Sequence, residues 1–253
     1  MENSTHVEGN CNFMSKSMFR AAAAATAMIV GLAGCNEGSE ATATTKLEAD
    51  SSTNWVRQIE RTEEGGFRIG NPDAPVKLVE YSSFSCPHCA AFHEEALTPM
   101  KGDYISSGKV SFEFRPFVRN PQDLIATAVT TCQKPEGFFA LADAFFENQQ
   151  GWLGGFSGIS EADQQRVASL PREQQLVEIG RLGNVDEFVR PRGISSAKFE
   201  SCVNDPEALA LAEKVMAEGR DIGLTGTPTF VLNGEKIDAS NWQQVKSKLD
   251  AAL

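Results

Sequence analysis

Phe84-Ser85-Cys86-Pro87-His88-Cys89 is the stretch whose reading decides the fold. Two cysteines enclose a proline and a histidine. An apolar run, Val76 to Phe84, leads into them. After the pair, Cys89, Phe92, Ala96 and Met100 recur at three- and four-residue steps, with Gly102 available as a stop. The pair is therefore expected where a strand ends and a helix begins. The first amides of a helix lack internal partners, and the helix dipole there favours negative charge. Both would stabilise a thiolate at Cys86, and a protonated His88 would add positive charge beside it. The thiolate is the reactive form of cysteine, and such settings lower its pKa to roughly 3.5–7.5. A zinc site is the competing reading. Zinc takes four ligands, often from two Cys-X-X-Cys pairs. Here there is no second pair, and only His88 and His93 stand close. Redox chemistry fits the spacing better than metal binding.

Cys86-Pro87-His88-Cys89 is the point of family resemblance. The chain resembles the DsbA-type thiol:disulfide oxidoreductases, whose active-site tetrapeptide is Cys-Pro-His-Cys. The resemblance implies an α/β, thioredoxin-like fold: a central mixed β-sheet flanked by helices, with an inserted all-helical domain. It also implies an oxidising dithiol, a property that belongs to the family.

The chain has 253 residues, 41% hydrophobic and 23% charged, which suits a soluble globular protein of one or two domains. A net charge of −11 argues against nucleic-acid binding, which needs a basic footprint. At the N-terminus, Lys16 and Arg20 precede an apolar run, Ala21 to Ala33, too short for a bilayer span of about 20 residues. Residues 1–34 therefore read as a secretory signal. Its end, Leu32-Ala33-Gly34-Cys35, resembles a bacterial lipobox, which implies cleavage before Cys35 and lipidation of it. An ordinary signal peptide with an incidental Cys35 is the alternative. The long lead suggests a start at Met14 or Met18 instead of Met1, which would remove Cys11. Residues 35–54 are small and polar and read as a flexible tether. Export would place the domain where disulfides persist. With Cys11 in the pre-sequence and Cys35 lipidated, Cys86, Cys89, Cys132 and Cys202 remain. These fit two bridges, one redox-active and one structural.

Residues 55–119 read as the first part of the thioredoxin-like domain. A strand is expected over Trp55 to Arg61, a turn at Glu64-Gly65-Gly66, and a strand at Phe67 to Ile69. Val76 to Tyr81 is β-rich. Lys109 to Arg115 alternates, with Val110, Phe112 and Phe114 inward and Ser111, Glu113 and Arg115 outward, as in a half-buried strand. The strand–helix–strand order predicts parallel pairing.

Residues 120–222 read as the helical insertion. Leu124, Ala128 and Cys132 share one face. Phe138, Phe139, Leu141, Ala142, Phe145 and Phe146 mark an apolar helix, read as core. Ser160 and Asp163 suggest a capping box, and Pro171 a first helical turn. Phe199, Cys202 and Val203 share a face, and Pro206 opens a last helix. Cys132 and Cys202 could be two buried free thiols. Export and the presence of a second disulfide in some relatives favour a bridge.

Residues 223–253 return to the thioredoxin pattern: Gly226-Thr227-Pro228, a strand, an Asn233-Gly234 hairpin turn, a return strand, and a helix capped by Ser240. In thioredoxin-like proteins a cis-proline lies beside the cysteine pair, so the resemblance puts Pro228 there and offers the Thr227 backbone to substrate. Thr227 departs from the best-known DsbA pattern, which has valine, and resembles the isomerases and reductases of the fold. The resemblance also implies a buried carboxylate beneath the pair at Glu80, on the strand face of Val76 and Leu78; an edge-strand Glu facing water is the alternative.

The expected activity is disulfide exchange with exported or unfolded proteins through Cys86 and Cys89, with His88 and Pro87 in the motif. The enzyme is expected on the periplasmic side of the cell envelope, anchored by lipid. A membrane partner would recycle it, either quinone-linked and DsbB-like or a donor of reductant. A reductase or isomerase, a metal-handling lipoprotein using Cys86, Cys89 and His88, and an inert binding module are the alternatives. No nucleotide, flavin or haem motif is present, so no cofactor and no resident metal are expected.

Overall fold

The computed structural model describes residues 53–253. The expected signal sequence, the candidate start sites, Cys11, Cys35 and nearly all of the expected tether lie outside them. Six strands form one sheet: β1 (Ile59–Arg61), β2 (Phe67–Gly70), β3 (Val76–Ser82), β4 (Val110–Pro116), β5 (Thr229–Leu232) and β6 (Glu235–Ile237). Their order is β1-β2-β4-β3-β5-β6. β3 and β4 pair in parallel, Leu78 opposite Phe112 and Glu80 opposite Phe114. The other neighbours are antiparallel. The sheet is thus mixed, and the strand–helix–strand unit sits at its centre.

β3 is followed by α1 (Pro87–Pro99). Between β4 and β5 come α2 (Pro121–Thr131), α3 (Pro135–Glu147), α4 (Gln149–Ser157), α5 (Glu161–Ala168), α6 (Arg172–Leu182), α7 (Val185–Val189), α8 (Ser196–Val203) and α9 (Pro206–Asp221); α10 (Trp242–Ala252) closes the chain. α2 is the hub of the insertion and packs on α3, α6, α8 and α9. Ile125 through Thr131 are all buried along it. Gly180 allows the close approach of α6 to α8, since a Cβ there would lie 2.6 Å from Phe199.

Sheet and insertion share one aromatic core. Phe67 of β2 stacks on Phe138 of α3 at 3.9 Å. Phe92 of α1 packs on Phe230 of β5 at 4.6 Å. Each fully buried Phe contributes about 1.5–3 kcal/mol of transfer free energy.

Several sequence expectations are corrected. Trp55–Arg57 is a 3-10 turn, and only Ile59–Arg61 is strand. Gly102 does not stop the first helix. Pro99 has no N–H for the ladder, so the chain widens into a π turn over Met100–Tyr104 and tightens again over Ile105–Ser107. Buried Met100, Tyr104 and Ile105 hold it on the core, and Gly108, at φ 71°, ends it. Pro171 stands one position before α6 rather than inside it. Asn241, not Ser240, caps α10 by accepting from the Gln244 amide. The second face of β4 is buried too: Ser111 and Glu113 are covered. There Arg115 pairs with Glu113 at 2.7 Å and with Glu218 of α9 at 3.0 Å, and Thr62 donates to Glu113.

Candidate active site

β3 ends at Ser82, and the chain turns through Ser83–Ser85 into α1. Cys86 is the N-cap residue, and Pro87 takes the first helical position, where its missing N–H costs nothing. Cys89 lies one turn in. Both sulfurs are free thiols and both residues are buried. Pro87 and His88 are exposed.

The two thiols differ sharply. Cys86 is pushed down to about 5. The Cys89 thiol, donating to its sulfur, is the main cause; burial opposes it; the Thr227 hydroxyl and the Cys89 and His88 amides add to it. Cys89 is pushed up, chiefly by burial, then by its bond to Cys86 and the negative charge of Glu80. His88 thus acts on Cys86 through its backbone amide.

The Thr227–Pro228 peptide is cis and lies against the pair. As a thiol, Cys86 donates to the Thr227 carbonyl at 3.2 Å. The Thr227 hydroxyl is buried and has no hydrogen-bond partner, leaving it free to serve the thiolate. Glu80 is fully buried on the face of Val76 and Leu78, not at a wet edge. Its Oε2 is 3.0 Å from Nε2 of His93 on α1. The structure joins Cys132, after the last residue of α2, to Cys202 of α8, with Cα atoms 5.5 Å apart across 70 residues. Among the described residues, no three His, Cys, Asp or Glu side chains gather in an arrangement that could hold a metal.

A family model described as thioredoxin matches residues 62–251. The chain belongs to the thioredoxin family. Among solved structures, a protein-disulfide isomerase of Novosphingobium aromaticivorans is 31% identical with a TM-score of 0.66, over 74% of this chain and 96% of that one. Wolbachia pipientis alpha-DsbA1 shares the fold at 21% identity and a TM-score of 0.57, over 73% and 87%. A provisionally named protein-disulfide oxidoreductase of Rickettsia bellii is 26% identical over 76% of this chain. The chain spans 66% of that relative's length.

Two residues that hold this site carry no signal in the cysteine motif. Asp123 of α2 is fully buried. It accepts from Ser85 N at 2.7 Å, Ser83 Oγ at 2.8 Å and Arg119 N at 3.0 Å. Burial raises its carboxyl, and these donors oppose the rise. The spacing Asn120-Pro121-Gln122-Asp123 is a capping signal that could have located it, since Asn120 accepts from the Asp123 amide. Gln149, opening α4, donates to the Phe84 and Cys86 carbonyls at 2.8 and 2.9 Å. The insertion therefore grips the active-site turn from two sides. Gln149→Met keeps the bulk and removes both donors. Leaving a buried acceptor unpaired costs about 1–3 kcal/mol. Urea unfolding should show a loss of about 2 kcal/mol, and an unchanged midpoint would count against this grip.

Proposed function

We propose that this chain is a lipid-anchored thiol:disulfide oxidoreductase of the bacterial cell envelope that donates its Cys86–Cys89 disulfide to exported proteins. The observation that carries the proposal is the dithiol at the start of α1, with Cys86 at the N-cap against the cis Thr227–Pro228 peptide and Cys89 buried one turn in; this setting lowers Cys86 and raises Cys89. A substrate thiolate attacks Cys86, and a second then displaces it. Exchange is fast when the leaving thiol has a low pKa, and Cys86 leaves the mixed disulfide as a stable thiolate. The same stabilisation favours the reduced enzyme, which makes the disulfide a good oxidant. The Thr227 backbone beside the sulfur is the proposed docking edge for an extended substrate.

The anchor is assigned to Cys35, which lies outside the described residues. Among those residues, no helix is long and apolar enough to cross a membrane. Recycling is assigned to a membrane oxidant of the quinone-linked, DsbB-like kind. One observation favours a second reading: Thr227 precedes Pro228, and the Novosphingobium relative is named an isomerase. In that reading a reductant donor keeps the pair reduced and Cys86 attacks substrate disulfides.

Equilibrium against glutathione separates the two. A potential near about −120 mV supports the oxidant, and one near about −270 mV the reductant.

Thr227→Val removes a donor to the thiolate. A hydrogen bond to a charged group is worth about 1.5–3 kcal/mol, so the Cys86 midpoint should rise by about one pH unit or more. Cys86 lies below its ordinary value, so its contribution to the reduced fold is complete above that value and is lost as pH falls through about 5. In the variant this loss should begin at higher pH. Thiolate absorbance read against pH checks it, and an unmoved midpoint would remove Thr227 from the tuning.

A further inference from the structure

We infer that His93 is a positioning residue that relays protons between Glu80 and the groove beside α1, supplying the proton that Cys89 takes up when it leaves the disulfide. This rests on the exchange reaction above.

The pair is built deep in the core. The His93 and Glu80 side chains are 2% and 0% exposed. The imidazole stacks on Phe146 at 4.2 Å and meets Phe114 edge-on at 5.4 Å. Its surroundings are aromatic, and a Leu there would pack without the cost of burying two ionisable groups. Only the Nε2–Oε2 bond ties the two together. Glu80 Oε1 and His93 Nδ1 are both buried and have no partner, whereas buried polar side-chain atoms nearly always have one. The line Oε1, Oε2, Nε2, Nδ1 is thus open at both ends. A proton can leave at one end while another enters at the other.

Each end has a place to go. Glu80 is near enough to Cys89 for its charge to act on that thiol. His93 lines a groove of about 830 Å³ between α1 and the α3–α4 junction, with Ala90, Leu97 and Phe146. The charged groups facing the groove are Glu94 on α1, Lys101 in the π turn after it, and Asp143 and Glu147 on α3. Lys101 is engaged with Asp143 at 3.4 Å, and neither Glu80 nor His93 has an ion pair with any of the four.

The proton is needed in one step. A substrate thiolate attacks the Cys86 sulfur, forming the mixed disulfide. The Cys86–Cys89 bond breaks, and Cys89 leaves with the electron pair. A buried thiolate there is costly, so Cys89 takes a proton from the Glu80–His93 pair through the Glu80 carboxyl. Nε2 of His93 returns a proton to Glu80, and Nδ1 takes one from water entering the groove. One proton is consumed overall. In the second step another substrate thiolate attacks the substrate sulfur and Cys86 leaves as a stable thiolate. That step needs no proton from Glu80.

Rapid mixing of the oxidised protein with reduced glutathione resolves the two steps. His93→Gln should slow the first by about 10²-fold, the lower range for a positioned proton donor. The second step and the Cys86 thiolate titration should stay unchanged. Equal slowing of both steps would show a structural role, and no slowing would show none; either overturns the relay. If His93→Gln does not fold, the unaltered protein decides. A solvent deuterium isotope effect confined to the first step supports the relay, and equal effects on both steps overturn it. An unaltered protein that exchanges no disulfide with glutathione overturns the functional reading itself and the relay with it, a result distinct from normal exchange that His93→Gln leaves untouched.

Discussion

Cys89→Ser is expected to hold substrate proteins on the enzyme through Cys86, while Cys86→Ser abolishes exchange. At neutral pH Cys86, with a pKa of about 5, is almost wholly thiolate. It therefore attacks a substrate disulfide with Cys89 absent, and the mixed disulfide persists because the resolving sulfur is gone. Cys89 cannot take over in Cys86→Ser. Burial raises its thiol, and the serine hydroxyl cannot form a disulfide with it or with substrate. Thiol-quenched samples on non-reducing gels check both variants. A Cys89→Ser protein that captures nothing from disulfide-bonded substrates, or a Cys86→Ser protein that still exchanges, would overturn the assignment.

The second large effect is on stability. Cys132→Ala with Cys202→Ala opens a bridge that closes a loop of 70 residues. The chain-entropy relation gives about 4 kcal/mol for that length. For an m-value of about 2 kcal/mol/M, the urea midpoint should fall by about 2 M. The Cys86 midpoint should remain near 5. Cys132 lies nine residues along the helix from Asp123, about 13 Å away at 1.5 Å per residue, so the grip on the active-site turn survives. A midpoint that does not move would show that the bridge contributes nothing in solution.

The frame of the site is legible in the sequence because it is local or ordered. Strand, Cys-Pro-His-Cys and helix lie within 25 residues, and Gly-Thr-Pro precedes the Asn-Gly hairpin at the expected end of the chain. Asn233 and Gly234 take the positive φ values, 50° and 88°, that such a turn requires. The supports are not legible because they are single polar residues on helices far along the chain. Gln149 reaches back 63 residues to Cys86, and Asp123 reaches 38 residues to Ser85. Nothing in a lone Gln says that it points inward. His93 stands seven positions after Cys86, yet reads as one more residue of an amphipathic helix until Glu80 is found beneath it. The outer face of β4 is misread for a related reason. Ser111, Glu113 and Arg115 look solvated by residue type, but two acids from separate elements neutralise Arg115 there.

The Thr227 side chain, which helps to lower Cys86, stands 141 residues further along the chain. During synthesis Cys86 therefore emerges long before the residue that completes its activation. Asp123 and Gln149, which shape its turn, also come later. Cys132 and Cys202 both appear before Thr227. Until the C-terminal strands are in place, Cys86 lacks its Thr227 donor and keeps only the local part of its activation, from Cys89 and the first amides of α1. The nascent chain thus carries its most reactive sulfur in a partly muted form while Cys132 and Cys202 come into reach of it. Full activation of Cys86 therefore waits for the C-terminal part of the chain, which limits its pairing with the chain's own cysteines.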